Sequence, residues 1–307
     1  MEIIGVDNGY GFTKTANTSF VTSLTKFYDR KPPLIDKTVC YNGNYYTIGG
    51  ERKKAIADKT DDEETFIITL AGIAEELKIR GGITDAEIVL AVGLPLSRCS
   101  GSTRTDFEEY FARHKEVYFE YEDVPYHITI AKVIVSAQCV SGIISLLNDK
   151  RVPAPSIVVD IGSWTTEILP IEKDANGNAK PQIAKAISLN IGSISCMLAC
   201  QNEINARTGK TVQESQIQEI FRGNIGALPP KYSEIVQRTT REYVRKIAQT
   251  IEENGYDVET LPVTLMGGGA AIVKRYGGGD VFYNVNYMLN VRANAIGYER
   301  IAKQVYR

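Results

Sequence analysis

The sequence predicts an α/β fold built from two related halves, and three observations carry that reading. Short apolar runs ending near glycines, at 3–6, 87–95, 156–161 and 262–266, have the character of strands buried within a sheet. Helical spacings of apolar residues fall between these runs, so strands and helices are interspersed rather than segregated. One pattern occurs twice, as IIGVDNGYGFTKT near the start and IVVDIGSWTTEI in the second half. Both read apolar strand, Asp, any residue, Gly, turn, Thr, strand, which points to duplication of one phosphate-holding unit. A length of 307 residues accommodates such a pair, at roughly 150 residues per domain.

The elements follow in order. A strand at Ile3 to Val6 leads through a Gly-rich turn into a second strand from Phe12 to Ala16. Asn42-Gly43 sits between two strand-forming runs in 38–48, a hairpin signal. An acidic cluster, Asp61 to Glu64, precedes a helix over 66–78, where Ile67, Leu70, Ile73, Ala74 and Leu77 share one face. The continuous apolar run 87–95 reads as a strand covered on both faces. A short amphipathic helix is expected over 103–114, two β-segments over 117–135 around Asp123 to Pro125, and a helix over 136–148. KRVPAP, 150–155, marks a boundary with two prolines. Beyond it come a strand–turn–strand at 156–171, a polar turn at 174–181 and a mostly helical stretch from Ile194 to Ile247. Gly223, Gly226 and Pro229-Pro230 mark loops in that stretch. A buried strand in 262–272 runs into Gly267-Gly268-Gly269 and a helix. Gly277-Gly278-Gly279 reads as a loop, and a helix from Val291 to Val305 closes the chain.

Composition excludes several classes. Apolar residues at 43% are too many for a disordered chain. Lys+Arg 35 against Asp+Glu 37 lacks the basic excess of a protein that coats DNA. Five cysteines without a C-x-x-C, and two histidines (His114 and His127), leave no zinc pattern and favour a reducing cytoplasm. Cys196 and Cys200, beside Met197 and Leu198, read as packing in a helix. No secretory segment opens the chain. The longest uncharged runs, 186–202 and 133–148, are too short and too polar for a bilayer span, which needs roughly 20 apolar residues. A soluble protein is expected.

The turns carry the chemistry. In DNGYGFTK, 7–14, Asp7 projects from the end of a strand. Gly9 and Gly11 let the backbone turn sharply and aim N–H groups at an anion, and Lys14 adds a full charge for a phosphate oxygen. A carboxylate there can hold hydrated Mg²⁺. The turn lacks the third glycine of a dinucleotide fingerprint and runs into a strand, not a helix. The second turn again ends a strand in Asp160. Gly162 permits close approach, and Ser163, Thr165 and Thr166 offer hydroxyls. Gly267, Gly268 and Gly269, between a strand and a helix, suit backbone contact with a flat ligand.

The order of these motifs resembles the superfamily of actin, heat-shock chaperone and sugar kinase ATPases. DNGYGFTK is similar to the first phosphate loop of actins, VVDIGSWTTEI to the second, and LMGGGAAI to the adenosine motif. VIVSAQCVSGIISLL resembles the first connecting helix, with Gln138 where actins carry a water-orienting Gln. NVRANAIGYERIA, 290–302, resembles the second, with Ala293, Ala295 and Gly297 small enough for close helix contact. Trp164 departs from the Gly that many relatives have. Gln138 departs from the Glu common in ParM-type plasmid actins.

The resemblance implies an actin-like fold of two lobes on ribonuclease-H-like βββαβα units, with nucleotide in the cleft between them. Lobe I would be 1–152 plus 292–307, and lobe II 153–291. ATP is the implied cofactor, with GTP compatible with the same turns. Asp7 and Asp160 would hold Mg²⁺ through its waters, and Gln138 with Asp160 would orient the attacking water. Asn8, Gly9, Tyr10, Gly11, Phe12, Lys14, Gly162, Ser163, Thr165, Thr166 and the 267–269 glycines would bind the nucleotide. Gln138 is neutral and no strong base, so slow turnover fits. The implied function is a ParM-like cytoplasmic filament ATPase in plasmid segregation. It would self-assemble and reach DNA through a small DNA-binding adaptor rather than directly, away from membranes. The alternatives are a scaffold of cell division or pilus assembly and a small-molecule kinase. The first usually has a membrane-targeting tail, and the second needs a further carboxylate base.

Overall fold

The computed structural model describes residues 1–28, 30–33, 36–50 and 63–306. Asp61 and Asp62 of the expected acidic cluster lie outside the described residues. The chain divides into two compact units, Met1–Ser145 with Arg292–Arg307, and Leu146–Val291.

The first unit contains β1 (Glu2–Asn8), β2 (Phe12–Lys14), β3 (Ser19–Val21), β4 (Leu24–Phe27), β5 (Thr38–Tyr41) and β6 (Asn44–Ile48). It continues with α1 (Glu64–Ile79), β7 (Asp85–Leu94), α2 (Gly101–Ala112), β8 (Glu116–Tyr121) and β9 (Val124–Ala137), and α3 (Val140–Asn148) starts in it. Among the described residues its strands form one sheet in the order β3-β2-β1-β7-β9-β8-β5-β6-β4. The centre, β1, β7 and β9, is parallel, and the hairpins around it are antiparallel. Asn42 and Gly43 both take positive φ, at 50° and 75°, as a two-residue turn that follows the strand twist demands. The apolar run of β7 divides between two cores. Ile88, Leu90 and Val92 face the core that holds Phe66, Leu70 and Phe111 of the helices α1 and α2. Val89 and Ala91 face Tyr298 and Ala302 of the C-terminal helix, Ala293–Val305. A strand covered on both faces has no polar side to alternate, which accounts for its unbroken hydrophobicity.

The C-terminal helix lies close on this sheet. A Cβ on Gly5 would collide with the Ala295 carbonyl, and one on Gly93 with the Tyr298 ring. Charges fasten the same contact. The Arg80 guanidinium donates to Glu2 Oε2 at 2.9 Å, Glu76 Oε1 at 2.8 Å and Glu299 Oε1 at 2.5 Å. Glu299 also accepts from the Gly5 N–H at 3.2 Å. Glu76 is fully buried. Burial works against its charge, but hydrogen bonds from Thr15, Arg80 and Asn17 hold its carboxyl below the usual range.

The second unit contains β10 (Ser156–Ile161), β11 (Thr166–Lys173), β12 (Ala179–Pro181), β13 (Ile187–Leu189), β14 (Val263–Met266) and β15 (Val285–Met288). Its helices include α4 (Ser193–Thr208), α5 (Glu214–Arg222), α6 (Pro230–Glu253) and α7 (Ala270–Arg275). The sheet runs β12-β11-β10-β14-β15, with β13 also on β11. Cys196 and Cys200 are buried in its core, and none of the five cysteines is in a disulfide.

Two expectations need correction. The helix expected over 136–148 begins only at Val140, because β9 keeps pairing with β7 as far as Leu94↔Ala137. Gln138 therefore lies in a turn before the helix. The second glycine triplet is not all loop, since Gly278–Val281 forms one helical turn.

Candidate functional site

The first glycine turn is held around a buried carboxylate. Asp7 is the penultimate residue of β1 and is 3% exposed. Antiparallel pairing sets Lys14 directly opposite it, so side chains on one face meet across the strands. Lys14 Nζ lies 3.3 Å from Asp7 Oδ2, and Gln138 Nε2 donates to the other oxygen, Oδ1, at 3.0 Å. Gln138 is itself fixed by its N–H, which donates to the Leu94 carbonyl at 2.8 Å. Asn8 points the other way and donates to Thr69 Oγ1 of α1 at 2.8 Å. A Cβ on Gly9 would sit 2.7 Å from the Phe12 carbonyl and 3.5 Å from Lys14 Nζ. The ammonium thus lies over the bare backbone of the turn, where an anion would meet both. Tyr10 and Phe12 are half-buried beside it, and Gly11 is buried.

A residue that sequence reasoning missed braces this turn. The Thr22 hydroxyl donates to the Gly9 carbonyl at 2.6 Å, and the Thr22 N–H donates to the Gly11 carbonyl at 3.0 Å. Its hydroxyl also lies 2.9 Å from Thr13 Oγ1. Thr22 follows β3, and only the pairing of β2 with β3 brings it back beneath the loop.

The second turn uses different supports. Asp160 is the penultimate residue of β10 and is 7% exposed. The Gly162 N–H closes the turn on the Thr165 carbonyl at 2.8 Å. The start of α4 then holds it from below. Gly192, Ser193 and Ile194 donate their N–H groups to the carbonyls of Trp164 (2.9 Å), Gly162 (3.0 Å) and Ser163 (2.9 Å). Thr166 is fully buried and donates its hydroxyl to the Ile191 carbonyl at 2.9 Å. It anchors the turn from inside, whereas Ser163 and Thr165 remain half-exposed. Trp164 packs against the core of the unit, with its indole N–H buried and without an acceptor among the described residues.

The third glycine segment meets the second turn. Gly267 has φ 82°, and a Cβ there would collide with Asp160 Oδ1 and lie 2.6 Å from the Ile161 carbonyl. The Gly269 N–H donates to the same carbonyl at 2.9 Å. Gly268 is exposed with open space around it. Across the strand pair Asp160 faces Glu167, a second residue sequence reasoning missed. Glu167 is 3% exposed and accepts from Ser188 Oγ at 2.7 Å, while its Oε2 has no partner among the described residues. Burial, reinforced by Asp160, pushes its carboxyl up to about 7.

The expected site residues therefore gather as two groups, one within each unit. Asp7, Asn8, Gly9, Lys14 and Gln138 come together in the first unit, and Asp160, Gly162, Ser163, Thr165 and Gly267–Gly269 in the second. Each offers one Asp at a strand end next to a glycine turn. Among the described residues no group of three or more His, Cys, Asp or Glu is arranged to hold a metal. Such a donor set fits a cation that keeps its own waters, as Mg²⁺ does, rather than one stripped into a protein cage. No described helix is long and apolar enough to cross a membrane.

Comparison with known proteins agrees with this architecture. Residues 5–140 match the family model for the N-terminal domain of actin-like proteins, and residues 158–276 that for the C-terminal part of the archaeal, MreB-like actin homologue. Among solved structures the chain is similar to Ta0583, an archaeal actin homologue in complex with ADP. Identity is 20%, the TM-score 0.76, and the match covers 99% of this chain and 100% of the other. It is similar to apo psk41 ParM at 15% identity and TM-score 0.69, over 99% of this chain and 97% of that one. A ParM from Clostridium botulinum, solved as a 15-stranded filament, is 15% identical with TM-score 0.75, over 98% and 99% of the two chains. At these identities the likeness establishes an actin-like α/β fold along the whole chain. No curated protein matches the sequence significantly.

Proposed function

The chain belongs to the actin-like protein family, and from that premise we propose that it is an ATPase which assembles into nucleotide-dependent filaments and segregates plasmid DNA. The observation that carries the reading is the Asp7 carboxylate, held by Lys14 on one oxygen and by Gln138 on the other beside a bare glycine turn. In this reading both groups of residues bind nucleotide. Lys14 and the backbone of 8–12 bind phosphate oxygens, as do the turn 162–165 and its hydroxyls. The glycines 267–269 admit the nucleoside. Asp7 and Asp160 would hold Mg²⁺ through its waters, and the cation would supply positive charge to the phosphates.

Gln138 orients the attacking water through its carboxamide. It is too weak a base to take the proton early, so hydrolysis is slow and serves as a timer of filament stability. ATP is the expected nucleotide, and GTP would satisfy the same turns. The near-neutral charge, −2 overall, supports DNA contact through a small DNA-binding adaptor rather than directly.

Sedimentation tests the reading. The protein should pellet with Mg-ATP and stay in the supernatant without nucleotide. An ATPase that never pellets, and that a sugar stimulates, would replace the filament with a kinase. Loss of a low-copy plasmid after deletion of the gene tests the segregation role, and unchanged plasmid retention would remove it.

A further inference from the structure

The residue after Gln138 is strained, and a side chain from the far end of the sequence holds it. Cys139 is fully buried and has φ 64°, a region that residues with a Cβ rarely occupy. The Val140 N–H donates back to the Gln138 carbonyl at 2.7 Å. That closure spans three residues like a γ-turn, whose positive-φ form is rare and strained. Strain of this kind persists only where the surroundings enforce it. Here the Cys139 N–H donates to Asn294 Oδ1 of the C-terminal helix at 3.0 Å.

Asn294 sits where small movements are blocked. Its neighbour Ala295 has its carbonyl against Gly5, and Gly297 lies so close to the Ser141 carbonyl that a Cβ would collide with it. Gly5 lies in β1, two residues before Asp7. The strand carrying the carboxylate and the turn carrying the carboxamide are therefore both positioned against one helix.

We infer that Asn294 is a positioning residue for hydrolysis, holding the strained turn at Cys139 so that the Gln138 carboxamide stays aimed at the Asp7 side of the nucleotide. The inference rests on the proposed role of Gln138 in orienting water. Asn294 touches neither nucleotide nor water in this account. Without its oxygen the turn relaxes toward negative φ and swings the carboxamide away. A displacement of the order of 1 Å at a reacting group costs up to about a hundredfold in rate.

The test compares Gln138→Ala, Asn294→Ala and the double variant Asn294→Ala/Cys139→Gly in the full chain. Phosphate release at saturating Mg-ATP and binding of labelled ATP are both measured. Asn294→Ala should lower kcat about tenfold with the Kd for ATP changed less than twofold. Adding Cys139→Gly should restore most of the rate, because glycine takes positive φ without an anchor. A merely structural role would move Kd and melting temperature together with kcat, and glycine would not rescue it. If Asn294→Ala does not fold, Asn294→Ser takes its place with the same outcomes. Slow Gln138→Ala with wild-type rate in Asn294→Ala overturns the inference alone. Wild-type rate in Gln138→Ala overturns the reading of Gln138 and this inference with it.

Discussion

The two glycine turns share a sequence pattern and a place at the end of a central strand, yet they are built oppositely. In the first, side chains do the holding: Lys14 and Gln138 take the two oxygens of Asp7, and the Thr22 hydroxyl supports the Gly9 carbonyl. In the second, main chain does most of it, through three N–H groups at the start of α4 and the glycines after β14, with the buried Thr166 hydroxyl as a side-chain anchor. The charges differ as well. The first turn sets an ammonium opposite its Asp, the second a buried carboxyl, Glu167. The two turns share their place after a central strand and differ in their electrostatics. The first turn pairs its carboxylate with a cation, whereas the second concentrates acid and close backbone.

If the second turn depends on main-chain approach, Gly267→Ala should do the most damage. A left-handed conformation and two collisions should cost about 3 kcal/mol or more in urea unfolding. Gly268→Ala, one residue on in open space, should stay within about 0.5 kcal/mol. Equal effects would break the contrast. If cationic charge is concentrated in the first turn, Lys14→Ala should weaken labelled ATP binding by tenfold or more, and Ser163→Ala by less than threefold. A reversed order would mean that the second turn dominates phosphate binding.

Glu167 sharpens the electrostatic half of the comparison. Its carboxyl titrates near 7 when folded against an ordinary 4.5. Across that window the native state holds a proton the unfolded chain has lost. Stability of the nucleotide-free protein should therefore be greatest below pH 4.5 as far as this group is concerned, and fall as pH rises to 7. The slope is at most about 1.4 kcal/mol per pH unit. Glu167→Gln should flatten it and leave the variant up to about 3 kcal/mol more stable than the parent at pH 8. Parallel melting curves against pH would show the carboxyl to be ionised in the fold. A smaller loss than that of Gly267→Ala belongs to Thr22→Val. Loss of one hydroxyl beneath Gly9 should cost about 1 kcal/mol and weaken ATP binding a few-fold, with no change at the second turn.

Much of this was legible in the chain. Apolar runs ending in Asp-x-Gly announce strand ends, since only a buried strand stays apolar for so long, and the repeat announces two similar turns. What depended on tertiary pairing was hidden. Gln138 looked helical because 136–148 is apolar with small residues, but the register with Leu94 extends the strand past that point. Thr22 is an ordinary hydroxyl until β3 folds back. Glu167 was within reach, because a hairpin closing Ile161 on Thr166 must place Glu167 across from Asp160. Nothing in the local sequence of Cys139 reveals its positive φ, since the anchor comes from residue 294.

Arg80 gathers Glu2, Glu76 and Glu299 from the first strand, the first long helix and the last helix. During synthesis the strand emerges from the ribosome nearly three hundred residues ahead of its final cover. The intervening unit, complete by residue 291, can fold while the earlier one still waits with one face of its sheet bare. Chaperones that shield nascent apolar surface would find their target there, and a stop codon placed before residue 292 would leave that face permanently open.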